Sequence, residues 1–185
     1  MKLTFITTNP KKVEEAKAIL KPFNIEIEQK SIDYPEDKEG TIQELVIKAI
    51  QPLAEQLQQP IIIEDTGLFF EAYNNFPGLF PKFIYQTLGF EGIQKLLEGK
   101  SRKASFKAVV GYCEPGKELI LFEGEMPGTI IEGEHTPRNE HFPYDTIFLA
   151  EGQDKINEDL PDEVKNAISH RCHAFKKLGK HLSNL

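Results

Sequence analysis

Cysteine is scarce: only Cys113 and Cys172 occur in 185 residues, in neither a C-x-x-C pair nor a zinc-type spacing. That excludes a disulfide scaffold and leaves two buried thiols as the expectation. No apolar run approaches the roughly 20 residues of a membrane-spanning helix, and the N-terminus shows no signal-peptide pattern. A cytoplasmic protein with no membrane partner is expected. Positive charge is short as well. Lys and Arg number 22 against 29 Asp and Glu, a net charge of −7, so the extended basic face needed to bind a nucleic-acid polymer is missing. The glycine patterns G-x-G-x-x-G and G-x-x-x-x-G-K-[ST] are also absent, and any phosphate site is therefore of another type. There is no His/Cys cluster to suggest zinc or iron.

What is present is an ordinary globular composition, 39% hydrophobic and 28% charged, long enough for one domain with a sizeable core. Residues 2–7 (KLTFIT) read as a buried strand and 10–21 as a helix, with Asn9 or Thr8 as its cap and Pro10 in its first turn. Alternation in 23–32 gives a half-exposed strand. Thr41 caps a helix over 42–58 that Pro52 should kink or interrupt. Residues 60–67 (PIIIEDTG) form a short apolar strand ending in two carboxylates. A turn at 74–80 precedes helical stretches at 81–88 and 90–98. Residues 104–114 and 118–131 pair as strands across Pro115-Gly116, 145–152 is a last strand, and 161–182 is a terminal helix. Strand–helix alternation followed by a strand pair indicates α/β with a mixed sheet.

Four clusters carry chemistry. "TTNPKK" (7–12) puts hydroxyls, an amide and two lysines at a helix N-terminus, which is a ready anion site. Glu64 and Asp65 stand at the expected C-terminal end of a buried strand, where open α/β sheets bind ligands. Strand alternation points the two carboxylates to opposite faces, so one of them faces the site. With Glu36 in the acidic loop 33–39, Asp65 would suffice for magnesium, which takes one or two carboxylates and leaves its other positions to water and phosphate. "HFPYD" (141–145) offers aromatic faces for a purine, and "NAISHR" (166–171) offers donors for a base edge. Ser169, His170 and Arg171 are adjacent in sequence, so their side chains diverge and cannot form a nucleophilic triad.

Taken in order, "ITTNPKK", "DYPE", "EDTGLFFEAYNNFPG", "FPYDTIF" and "KNAISHR" resemble the inosine triphosphate pyrophosphatases, the Ham1-like enzymes that remove non-standard purine nucleoside triphosphates. The resemblance covers roughly residues 1–182. It implies one domain over 1–185, an elongated two-lobed α/β fold around a long mixed sheet with the active site in the cleft between lobes, and a homodimer. By the same resemblance Thr7, Thr8, Asn9 and Lys12 hold the triphosphate, Glu36 and Asp65 bind Mg²⁺ (or Mn²⁺), and Asp65 and Lys12 are catalytic. Thr66, Phe142, Tyr144, Asp145, Lys165, His170 and Arg171 bind the substrate, the last three reading the purine.

The implied reaction is hydrolysis of ITP, dITP and XTP to the monophosphate and pyrophosphate. A same-fold pyrophosphatase with another base preference, and a nucleotide-binding regulator without turnover, are the alternatives. The chain departs from the family pattern at Pro143, where glycine is usual, at Thr146, where proline is usual, and at His141, often glycine. Ala49 stands where the second helix commonly has lysine, with Lys48 one step round the helix.

Overall fold

The computed structural model describes residues 1–34, 40–74, 76–133, 135–138 and 142–184. Among them seven strands and five α-helices alternate as β1 (Lys2–Ile6), α1 (Pro10–Leu20), β2 (Glu26–Lys30), α2 (Ile42–Leu57), β3 (Ile61–Phe70), β4 (Pro77–Gly78), α3 (Pro81–Leu96), β5 (Lys103–Cys113), β6 (Ile120–Ile130), β7 (Phe148–Ala150), α4 (Asp162–Ile168) and α5 (His170–Leu182). The strands form one sheet in the order β2-β1-β3-β5-β6-β7, with β4 paired to β3. β1 runs parallel to β2 and β3, whereas β4 is antiparallel to β3 and β7 to β6. The mixed α/β sheet is as the sequence predicts.

The chain divides into two compact units, 1–66 with 108–125 and 169–185, and 67–107 with 126–168. In the first unit, α1 turns Val13, Ala16 and Leu20 inward, and α5 turns in Ala174, Phe175, Leu178 and Leu182. They close over Leu3, Phe5 and Ile62 of the sheet, with Phe5 edge-on to Phe175 at 5.7 Å between centroids. Gly124 is what admits the start of α5 so close to β6: a Cβ there would lie 2.0 Å from the His170 carbonyl oxygen. The second unit has its own core of Leu68, Phe70, Phe90, Phe106, Tyr144 and Phe148, among others.

Four local expectations change. β3 does not stop at the carboxylates but continues to Phe70, because Leu68 and Phe70 keep a buried alternation going after Gly67. Glu64 and Asp65 are therefore mid-strand, yet they still stand past the end of a neighbour: β1 pairs Phe5 with Ile62 and ends one residue later. α2 runs through Pro52 unbroken, since proline removes only one intrahelical hydrogen bond while Ile50, Leu53 and Ala54 stay buried around it. The last strand, expected from 145, starts only at Phe148, because residues 143–146 form a 3₁₀ turn with Pro143 in its first position and the Asp145 N–H donating to the Phe142 carbonyl. The terminal helix is two, because Ser169 is extended (φ −66°, ψ 146°) and its hydroxyl accepts the Cys172 N–H, capping α5. The helical stretches at 81–88 and 90–98 stand as expected, as the two parts of α3 on either side of a non-helical Gly89.

Candidate functional site

The first unit gathers one end of each of three elements. At the end of β1 the Thr7 N–H donates to the Lys30 carbonyl, and the Thr7 carbonyl accepts from the Gln29 side chain at 2.9 Å. Thr7 Oγ1 then takes the Asn9 N–H at 3.1 Å, and Asn9 Oδ1 takes the Lys11 N–H at 2.9 Å, so the loop is folded by its own side chains. Asn9 is the cap of α1, Pro10 its first residue, and Thr8 is exposed beside them. The two lysines part company here. Lys11 makes a solvent-facing pair with Glu14, whereas Lys12 turns inward and is only 17% exposed.

Lys12 Nζ lies 2.8 Å from Glu64 Oε2 and 3.9 Å from Asp65 Oδ1, and donates to the Glu64 carbonyl at 3.2 Å. Glu64 Oε1 accepts from Arg171 Nε at 3.1 Å and from the Thr66 hydroxyl at 2.6 Å. Arg171 Nη1 in turn donates to Glu15 Oε2 at 2.6 Å, and Nη2 to the Thr66 hydroxyl at 3.4 Å. Glu15 and Lys12 are three residues apart and share one face of α1. The result is a chain of alternating charge, Glu15–Arg171–Glu64–Lys12–Asp65, built from α1, β3 and α5.

Its centre is dry. The Glu64 side chain has no exposed surface and that of Arg171 has 7%. Burial alone would raise the Glu64 carboxyl; the Arg171 guanidinium and the Lys12 ammonium outweigh it and hold the group well below the usual carboxylate range. Arg171 also resists burial and is pushed further up by Glu64 and Glu15. His170 goes the other way. Its burial, with Arg171 and Lys12 adding to it against Glu64, lowers the imidazole to about 3, so it is neutral at pH 7.

Asp65 keeps 22% of its side chain exposed, and its Oδ1 accepts the Thr66 N–H at 2.8 Å. Of the two neighbouring carboxylates, Glu64 is thus sealed between cations and Asp65 faces outward, as strand alternation requires. Glu36 lies outside the described residues, as does His141. Among the described residues no group of three His, Cys, Asp or Glu side chains is placed to hold a metal ion.

The second unit holds the aromatic segment. Lys165 Nζ pairs with Asp145 Oδ2 and lies 5.4 Å from the centre of the Phe142 ring. Phe142 is half-buried. Tyr144 is a core residue: its ring packs edge-on against Tyr85, Phe90 and Phe106, and its hydroxyl donates to the Pro81 carbonyl at 2.8 Å. Pro143, at the first position of the 3₁₀ turn, occupies a place where an N–H has no partner within the turn. Thr146 is buried.

The structure therefore brings Lys12, Asp65, Thr66, His170 and Arg171 together in one unit, and Phe142, Tyr144, Asp145 and Lys165 in the other. The sequence alone does not point to Glu64 and Glu15 for these roles. A carboxylate following three isoleucines signals a buried anion in need of cations, and that was the available clue for Glu64. Glu15 carried none beyond its helical spacing from Lys12.

The site thus belongs to a mixed α/β protein in which a lysine and an acidic strand meet at a helix N-terminus. The profile of the Ham1 family matches residues 3–181, and the chain belongs to that family. It is 45% identical to the dITP/XTP pyrophosphatase of Methanopyrus kandleri, over 100% of this chain and 97% of that protein. It is 37% identical to the inosine triphosphate pyrophosphatase of Puccinia graminis, over 99% and 97%. Among solved structures, a Ham1 protein from Coxiella burnetii superposes with a TM-score of 0.85 at 25% identity, with both chains fully covered. The Staphylococcus aureus Ham1 protein gives 0.80 at 27%, over 100% of this chain and 99% of that one.

Proposed function

We propose that the protein hydrolyses non-standard purine nucleoside triphosphates, ITP, dITP and XTP, to the monophosphate and pyrophosphate. The observation that carries this reading is the meeting of Lys12 with Glu64 and Asp65 beside the N-terminus of α1, in a chain alike over its full length to proteins named for that activity. The N–H groups of the first turn of α1 and the Lys12 ammonium receive the triphosphate, helped by Thr7, Thr8 and Asn9. At 3.9 Å from Asp65, Lys12 interacts with that carboxylate by roughly 4 kcal/mol at an effective dielectric near 20. The same charge acts on phosphate oxygens as the negative charge of the leaving group grows.

Asp65 orients a water molecule toward the α-phosphorus and takes its proton as the new P–O bond forms. The bond from the α-phosphorus to the oxygen bridging it to the β-phosphorus breaks, and pyrophosphate carries away that electron pair. Glu64 does not share this work. Clamped by Arg171 and Lys12, it keeps Lys12 fixed beside Asp65.

Asp65 supplies a hard oxygen donor on an accessible side chain, which fits magnesium or manganese held largely by substrate phosphates, with Glu36 as the second carboxylate. Such an ion would neutralise phosphate charge and acidify bound water. Phe142 offers the base a stacking face, and Tyr144 supports that segment from the core.

Pyrophosphate release from ITP, XTP, dITP, GTP and ATP, with Mg²⁺ and with EDTA, tests the proposal. Metal-dependent turnover of ITP and XTP far above ATP is the expected result. Binding without turnover of any of the five would leave a regulator, and turnover confined to other bases would leave a same-fold enzyme of different preference.

A further inference from the structure

One short turn of the second unit holds both Arg138 and Asp145. It is the 3₁₀ turn Asn157–Asp159. Glu158 Oε1 accepts the main-chain N–H of Arg138 at 2.7 Å, and Asp159 Oδ1 pairs with the Arg138 guanidinium. At the other end Asn157 Nδ2 donates to Asp145 Oδ1 at 3.4 Å, while Lys165 holds Oδ2 of the same carboxylate. Asp145, Asn157, Arg138 and Lys165 line one small cavity of about 240 Å³.

Asn157 is an unusual residue to bury. It is 1% exposed, and its carboxamide oxygen makes no hydrogen bond among the described residues. An unpaired buried acceptor is costly, and an apolar side chain of the same shape would avoid that cost. What the carboxamide provides is a donor to Asp145. Reversing the amide would put its oxygen against the carboxylate, so the orientation is set by the pairing itself.

We propose that Asn157 is a specificity-determining positioning residue: with Lys165, it locks Asp145 as a directed acceptor for the N1–H of a 6-oxopurine. An ionised carboxylate accepts and cannot donate. With each oxygen already held by a different donor, its remaining lone pairs point in fixed directions. Hypoxanthine and xanthine present an N–H at N1. Adenine presents a lone pair there, which a fixed carboxylate repels, whereas a mobile one can turn away. Asn157 does not touch the base in this account; it keeps Asp145 from relaxing toward the wrong one. The inference rests on the proposed use of Asp145 in the base site.

The experiment compares kcat/KM for ITP and ATP in the wild type, Asn157→Leu, Asp145→Asn and the double variant, each first shown to fold by thermal denaturation. Asn157→Leu should lower the ITP:ATP ratio about tenfold, the scale of one hydrogen bond to a charged group. In the Asp145→Asn background the same substitution should change the ratio less than twofold, an outcome that a purely structural role for Asn157 does not produce. Asn157→Ser, smaller and polar but too short to reach Asp145, serves with the same expectation if the leucine variant does not fold. A ratio unchanged in Asn157→Leu, or an equal loss in both backgrounds, overturns the role of Asn157 while leaving the proposed activity standing. A wild type that does not favour ITP over ATP overturns both.

Discussion

Arg171 and Glu64, 107 residues apart in sequence, meet as a buried ion pair with Nε 3.1 Å from Oε1. With side-chain exposures of 7% and 0%, both are largely shut off from solvent, so each stabilises the fold chiefly by preventing the other from being an isolated buried charge. Removing one member of such a pair typically costs about 3–5 kcal/mol. Glu64→Gln keeps the shape and deletes the charge, leaving Lys12 and Arg171 facing a neutral amide. Urea unfolding at pH 7 should show a loss of about 3 kcal/mol or more. A loss under about 1 kcal/mol would mean that the pair behaves as a surface salt bridge.

Asp65 is the half-buried, outward-facing neighbour of that sealed carboxylate, and its loss should read differently. Asp65→Asn removes the proposed base while keeping an oxygen for the Thr66 N–H. Turnover of ITP should fall by roughly 10³-fold, within the range of general-base contributions. Affinity for ITP, measured by calorimetry, should change far less. Retained turnover would remove Asp65 from the chemical step.

Much of this arrangement was legible in the sequence because it rests on short-range rules. A cap at Asn9 or Thr8 with Pro10 in the first turn follows from helix N-terminal chemistry, and the structure selects Asn9. Opposite fates for Glu64 and Asp65 follow from strand alternation. The partners of Glu64 were not legible, because a buried anion announces that it needs cations without saying which ones, and Arg171 comes from another element. Likewise the extension of β3 to Phe70 depends on β4 pairing with Leu68 and Phe69, a long-range event. Asn157 shows the limit most clearly: one asparagine in an acidic stretch reads as solvated surface until the fold buries it against Asp145.

Ser169 tests how far local capping reaches into the site. Its hydroxyl accepts the Cys172 N–H at 3.0 Å, and His170 and Arg171 occupy the first two positions of the helix it caps. Ser169→Ala should cost about 1 kcal/mol in unfolding free energy, the usual value of an N-cap. Because the frayed turn carries both residues, kcat/KM for ITP should also fall, by several-fold, and Ser169→Thr should restore it. Full activity in the alanine variant would show that packing against Gly124 alone fixes the start of α5.

His170 gives the fold a dependence on pH that can be separated from that of the carboxylates. Its imidazole is lowered by burial, and then by Arg171 and Lys12, from the ordinary 6.5 to about 3. Below pH 6.5 the unfolded chain therefore binds a proton that the folded chain refuses. Stability is complete above that pH and is lost as the pH falls toward 3, with a slope of up to about 1.4 kcal/mol per pH unit. Glu64, whose carboxyl is also lowered in the fold, withdraws its contribution only as the pH falls through and below the usual carboxylate range. The window from pH 6.5 to 5 thus belongs to the histidine. Urea unfolding across it should show the wild type losing about 2 kcal/mol, and His170→Asn should flatten that loss, since asparagine does not titrate. An unchanged slope in the variant would place the proton elsewhere, and would mean that His170 takes up charge inside the fold beside Arg171.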